Sequence, residues 1–173
     1  MNEAMKNLLT RRSVRKYKPE QITDEELRAV LEAGTYAPTA RGTQSPLIVA
    51  VQNAEDIALM SRLNAAVWGR ADFDPFFGAP TVVVVFAQAG NANGVQDASL
   101  VMGNLLNAAH ALGLGSCWIN RAREVFEMPE GKALLKKWGI EGDYIGVGHC
   151  ILGYPAEEPR PAAPRKPDYI VYA

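Results

Sequence analysis

The chain has 173 residues, of which 48% are hydrophobic and 21% charged, with a formal net charge of −1. That length supports one core and one domain, and the near-neutral balance argues against bulk nucleic-acid binding, which needs a basic face. No apolar run reaches membrane-spanning length, and the start MNEAMKNLLTRR lacks a long apolar region, so a cytoplasmic protein is expected.

In chain order, residues 2–11 read as a short helix with apolar Met5, Leu8 and Leu9. The next segment, TRRSVRKY (10–17), sets Arg11, Arg12, Arg15 and Lys16 around Ser13. TDEELRAVLEAG reads as a helix, with Thr23 as N-cap, Glu26 completing a capping box and Gly34 closing the end. Residues 37–46 form a loop by composition, LIVAV (47–51) a short buried strand, and 54–66 a polar helix. The aromatic, glycine- and proline-bearing stretch 68–78 is irregular.

TVVVVFA (81–87) is a β-branched run of the kind buried on both faces of a sheet. Residues 95–112 make the longest helix, with Val95, Leu100, Met102, Leu105, Leu106 and Ala109 as its apolar positions and Gly113 as its stop. SCWIN (116–120) and 143–154 read as strands, and 130–139 as a helix. Strands separated by helices give an α/β or an α+β sheet. The body ends near residue 154, because the tail holds five prolines between 155 and 167 before the β-prone DYIVYA. Such an extended segment suits an arm that crosses to another subunit and adds to its sheet edge.

The chemistry is sparse. No HExxH, GxSxG or P-loop pattern occurs, no metal-ligand spacing is present, and His110 and His149 read as buried. Cys117 and Cys150 read as reduced, buried thiols. A reactive group would therefore be brought in, with the protein supplying orientation and electrostatics. Arginine forks grip phosphate oxygens bidentately, and alternation in an extended segment sets Arg11, Ser13 and Arg15 on one side. Arg165 and Lys166 could close the same site from the tail. A solvated basic patch is the plainer alternative. A nucleic-acid patch lacks the interleaved aromatics that stack bases.

Taken together and in order, RRSVRKYKPEQITDEELRAVLEAGTYAPTARGTQ, FFGAPTVVVV, DASLVMGNLLNAAHALGLGSCWIN and PRKP resemble the nitroreductase family of flavoproteins, among its short single-domain members. The resemblance implies an α+β fold with a central, mostly antiparallel sheet flanked by helices. It also implies an intertwined homodimer with a C-terminal arm (155–173), and FMN bound at the interface and reduced by NADH or NADPH. Carried over by position, Arg11 and Ser13, with Arg12 beside them, match the grip on the FMN phosphate. Arg15 matches a cation at the flavin N1–O2 edge, where charge develops when hydride reaches N5.

Pro38, Thr39, Ala40 and Gln44 match a loop that reaches the flavin from the other subunit. Trp118, Ile119 and Asn120 match a segment over one flavin face, with the Asn120 N–H as donor to N5. Arg165 and Lys166 match tail cations at the phosphate. Gly42 stands where the family usually has asparagine, and Gln44-Ser45-Pro46 where it usually reads Gln-Pro-Trp.

The implied activity is ping-pong electron transfer to a small acceptor such as a nitroaromatic or quinone, with no obligatory acid–base side chain. Residues 64–78, with Trp68, Phe73, Phe76 and Phe77, are the expected lid and acceptor pocket, or else a loop covering the core. A flavin-binding or sensing module without turnover is the alternative role.

Overall fold

The computed structural model describes residues 1–173. Four strands make one antiparallel sheet: β1 (Leu47–Val51), β2 (Thr81–Gln88), β3 (Gly115–Ile119) and β4 (Tyr144–Gly153), in the spatial order β1-β2-β4-β3. The β-branched run 81–87 lies at the centre, and every residue of β2 from Thr81 to Ala87 is buried. Because side chains alternate along a strand, Val82, Val84 and Phe86 enter one core while Val83, Val85 and Ala87 enter another. The β2–β4 register shifts at Val85/Phe86, where Val147 is the extra residue on β4.

Six helices cover the two faces: α1 (Glu3–Thr10), α2 (Asp24–Thr35), α3 (Ala54–Trp68), α4 (Gly94–Ala111), α5 (Ala122–Glu127) and α6 (Pro129–Lys137). Val30 of α2 and Met102, Leu105 and Ala109 of α4 fill the core on one face. Met60 of α3, Val125 and Phe126 of α5 and Leu134 of α6 fill the other. Buried Asp56 ties α3 to α6, accepting from Lys137 Nζ at 2.6 Å and from Trp138 Nε1 at 3.0 Å. The architecture is the α+β sheet that the resemblance implies.

Several details depart from the sequence reading. The capping box at Thr23 and Glu26 forms, but Gly34 does not end α2. It lies inside the helix, where an added Cβ would come within 2.7 Å of Leu105, so its role is close approach to α4. Val95 and Leu100 are about half exposed on α4 rather than packed in the core. The short helix α5 has no counterpart in the sequence reading, because its six residues are too few to show a period.

His149 is buried as expected, whereas His110 is half-buried. Cys117 and Cys150 are both free and buried, and they enter opposite cores. The tail forms no strand within its own chain: Pro167–Tyr169 makes a single 3-10 turn, and Tyr169 to Tyr172 are exposed.

Candidate cofactor site

The basic segment begins where α1 ends. Arg12 donates from Nη1 to Leu9 O at 2.9 Å and to Arg11 O at 2.6 Å, so it also caps the helix's free carbonyls. The chain then runs extended beside β3. Ser13 bridges Ser116 in parallel, and Val14 N–H donates to Ser116 O at 3.0 Å. Val14 is buried, which turns Ser13 and Arg15 to the exposed side. Tyr17 Oη donates to Val14 O at 2.8 Å and locks the segment down. Burial above all, with the neighbouring thiols Cys117 and Cys150, raises the Tyr17 pKa, so the phenol stays a donor at every physiological pH.

The segment leaves buried donors unmet. Arg11 Nη1, Arg12 Nε and Trp118 Nε1 are buried N–H groups without an acceptor. A buried donor left unpaired costs about 1–3 kcal/mol. Two such donors on adjacent arginines, with a third on the strand that carries Ser116, call for an acceptor-rich group. Trp118 is held flat against the sheet because Gly148 lies beneath it; a Cβ there would come within 2.5 Å of the indole nitrogen. The field of the cradle also reaches His110, whose pKa lies below its usual value. Burial is the main cause and the charges of Arg11 and Arg12 add to it.

The end of β3 is fixed from behind. His149 Nδ1 lies 3.3 Å from Ile119 O, and Asn64 Nδ2 donates to Asn120 O at 2.7 Å. Two successive carbonyls are thus drawn inward, while Asn120 itself is exposed. Ile119 offers only its backbone here, since its side chain belongs to the core under α5. His149 is neutral, its pKa pushed down to about 4, mainly by burial. Asn64 is a functional candidate that the sequence reading missed; a lone asparagine inside SRLNAAVW was its only signal.

Pro38, Thr39, Ala40 and Gln44 lie elsewhere. Their loop seats on the N-terminal end of α4, where Ala40 N–H donates to Asp97 Oδ1 at 3.0 Å and Gln44 N–H to Thr39 Oγ1 at 3.0 Å. The basic segment meets the other end of α4, through Asn7 Nδ2 to Asn107 O (2.9 Å) and Thr10 Oγ1 to His110 Nε2 (2.8 Å). At 1.5 Å rise per residue, Asp97 and His110 stand roughly 20 Å apart. One copy of the chain therefore does not bring its loop to its own cradle. Arg165 and Lys166 are exposed; Arg165 bonds Ala163 O and Lys166 lies over the Tyr169 ring, both within the tail. The expected lid divides: Phe76 is core, whereas exposed Trp68 and half-buried Phe73 form an edge-to-face pair.

An antiparallel α+β sheet with unmet guanidinium and indole donors at one edge defines a protein built to hold an anionic group. Residues 8–154 match the model of the nitroreductase family. The chain belongs to that family. It is 33% identical over 164 residues to a protein of Archaeoglobus fulgidus provisionally named NADH dehydrogenase/NAD(P)H nitroreductase, covering 91% of this chain and 88% of the relative. It is 28% identical to the NADPH-flavin oxidoreductase of Vibrio harveyi, covering 99% and 73% of the two chains. Among solved structures it resembles a nitroreductase with bound FMN from Bacteroides fragilis, with a TM-score of 0.91 at 27% identity and full coverage of both chains.

Proposed function

We propose that the chain is an FMN-dependent oxidoreductase that takes electrons from NADH or NADPH and delivers them, in ping-pong fashion, to a small acceptor such as a nitroaromatic or quinone. The observation that carries this reading is the set of buried, acceptorless donors at Arg11, Arg12 and Trp118. Such a set suits a phosphate ester joined to a flat heterocycle: charge-assisted forks for the one and an indole edge for the other. When bound, FMN would supply the hydride chemistry, accepting from the nicotinamide and passing electrons on.

The chain's own residues do the rest. Arg11, Arg12 and Ser13 hold the phosphate, with Arg165 and Lys166 joining from a tail. Arg15, exposed beyond them, places a cation where the ring accumulates charge. Asn64 and His149 aim the 119–121 backbone outward by taking its carbonyls inward, so the Asn120 N–H can face the ring. No side chain in the site needs to exchange a proton with the substrate.

The site is completed by a second copy. The loop of Pro38, Thr39, Ala40 and Gln44 lies at the far end of α4, so a homodimer that sets two copies end to end would bring each loop to the other's cradle. The half-exposed Met5, Leu8, Leu9 and Leu100 offer the apolar surface for that contact, and the tail from 155 to 173 offers the arm. No helix is long and apolar enough to cross a membrane. The test is a visible spectrum of the purified protein before and after anaerobic NADH and NADPH. Flavin bands that bleach and return with a nitroaromatic are the expected result. Bands that neither nucleotide reduces would favour the sensing role, and no chromophore after adding FMN would overturn the reading.

A further inference from the structure

Where α3, the loop after it and α5 meet, two arginines stand beside the proposed site without an ion-pair partner. Asn64 is fully buried and spends both ends of its amide there: Nδ2 on Asn120 O, and Oδ1 accepting from Arg121 Nε at 2.8 Å. A buried amide satisfied at both ends fixes one geometry. Arg121 adopts φ 72°, a left-handed value that costs a residue with a side chain, and its guanidinium lies 4.6 Å over the Trp68 ring. The Arg70 guanidinium lies 5.1 Å from the same indole and 5.1 Å from Phe73.

Neither arginine belongs to any of the ion pairs in the structure. Of the loop's two carboxylates, Asp72 is exposed and in no ion pair, and Asp74 accepts from Ser61 Oγ, Phe76 N–H and Gly78 N–H. His149, beneath Asn120, brings no charge. Two guanidiniums on one aromatic platform repel each other, and an anion entering between them relieves that repulsion. Trp68 is 43% exposed, so the arginine–indole cluster is reachable from solvent.

We propose that Arg121 and Arg70, arrayed on Trp68, are specificity residues that select an aromatic electron acceptor bearing a carboxylate or similar anionic group. The proposal rests on the FMN reading above, because the Trp118–Asn120 wall of that site runs directly into Arg121. Asn64 acts as a positioning residue by fixing the guanidinium on the indole. The shared chemistry of the ligand is a flat π-system with a negative substituent, which cation–π and ionic contacts read together.

The test compares 4-nitrobenzoate with its neutral isostere 4-nitrobenzamide. With the flavin-loaded protein, the ratio of kcat/KM for the acid to that for the amide is expected to fall about tenfold in Arg121→Gln and in Arg70→Gln. A ratio that stays put, or two acceptors that lose equally, would overturn the proposal in favour of a structural role. A nicotinamide preference that shifts from NADPH to NADH while the acceptor ratio holds would reassign the arginines to the nucleotide's phosphate. A second measurement needs no flavin: quenching of tryptophan fluorescence by the two compounds. The acid is expected to bind about tenfold tighter than the amide, with the difference lost in Arg121→Gln and the quenching reduced in Trp68→Leu. Equal affinities would sink the idea, whereas discrimination by a protein that takes up no FMN when FMN is supplied would count against the FMN reading alone.

Discussion

The two ends of α4 carry the two halves of the proposed site, and they are built in opposite ways. At the C-terminal end the basic segment leaves donors on Arg11 and Arg12 unmet, beside the unmet indole of Trp118. At the N-terminal end the loop closes on itself: Thr39 serves Gln44, Asp97 serves Ala40, and Asn91 donates to Ser45 Oγ at 2.8 Å. The loop holds its shape although Arg41, Gly42 and Gln44 all take left-handed φ values. One end leaves cationic donors unmet, while the other is closed by its own hydrogen bonds except for one buried carboxylate oxygen, Asp97 Oδ2, that has no donor. On the proposed reading, affinity for an anion lives at the cradle, and the loop contributes shape to a neighbour's cradle.

The most drastic way to break that comparison is to remove residues 155–173. Loss of the arm is expected to shift the dimer towards monomer and with it to empty the site. Light scattering reads the mass, and an unchanged value would exclude the arm from assembly. Next, Arg11→Ala removes one unmet charged donor, and a charged hydrogen bond of about 1.5–3 kcal/mol implies FMN bound roughly ten- to a hundredfold more weakly. Equilibrium dialysis measures this, and full flavin occupancy after purification would count against the phosphate assignment.

At the other end, Asp97→Ala strips the loop of one anchor at Ala40. A loss of about 1 kcal/mol predicts FMN affinity about fivefold lower, with the cradle intact. An effect as large as that of Arg11→Ala would mean that the loop, too, binds charge. The smallest expected effect is on His110. Its folded pKa lies below the ordinary value, so it binds fewer protons folded than unfolded. It therefore subtracts stability as pH falls through the unfolded value of about 6.5, and the loss is complete below the folded one. An anion in the cradle offsets Arg11 and Arg12, so the His110 pKa is expected to rise on adding FMN. An NMR titration of the imidazole reads this, and an unmoved pKa would place the anion elsewhere.

How much of this was legible in the sequence depends on whether the signal was local. The β-branched run 81–87 and the capping box at Thr23 and Glu26 are local, and both elements form as read. The family membership was legible from TRRSVRKY and the segments that follow it in order. What failed was tertiary. Gly34 looks like a helix stop because glycine ends helices, yet the close approach of Leu105 requires it inside one. Val95 and Leu100 look like core because apolar residues usually are, yet they face outward on α4. Their exposure carries meaning only once a second copy is considered. Arg121 stands out in the sequence because the resemblance puts small residues there, but its bond to Asn64 was hardest to see, since that partnership spans 57 positions.

The most direct measurement is flavin stoichiometry in mixed dimers. Arg11→Ala breaks the cradle of one chain, and Pro38→Asp places a charge on the exposed loop of the other. If each site takes its cradle from one copy and its loop from the other, each variant alone binds FMN poorly. The mixed dimer then holds one intact site, taking the cradle from the Pro38→Asp chain and the loop from the Arg11→Ala chain. Recovery towards one FMN per mixed dimer is the predicted result. A mixture that binds no more flavin than its parents would contradict a site shared between two copies.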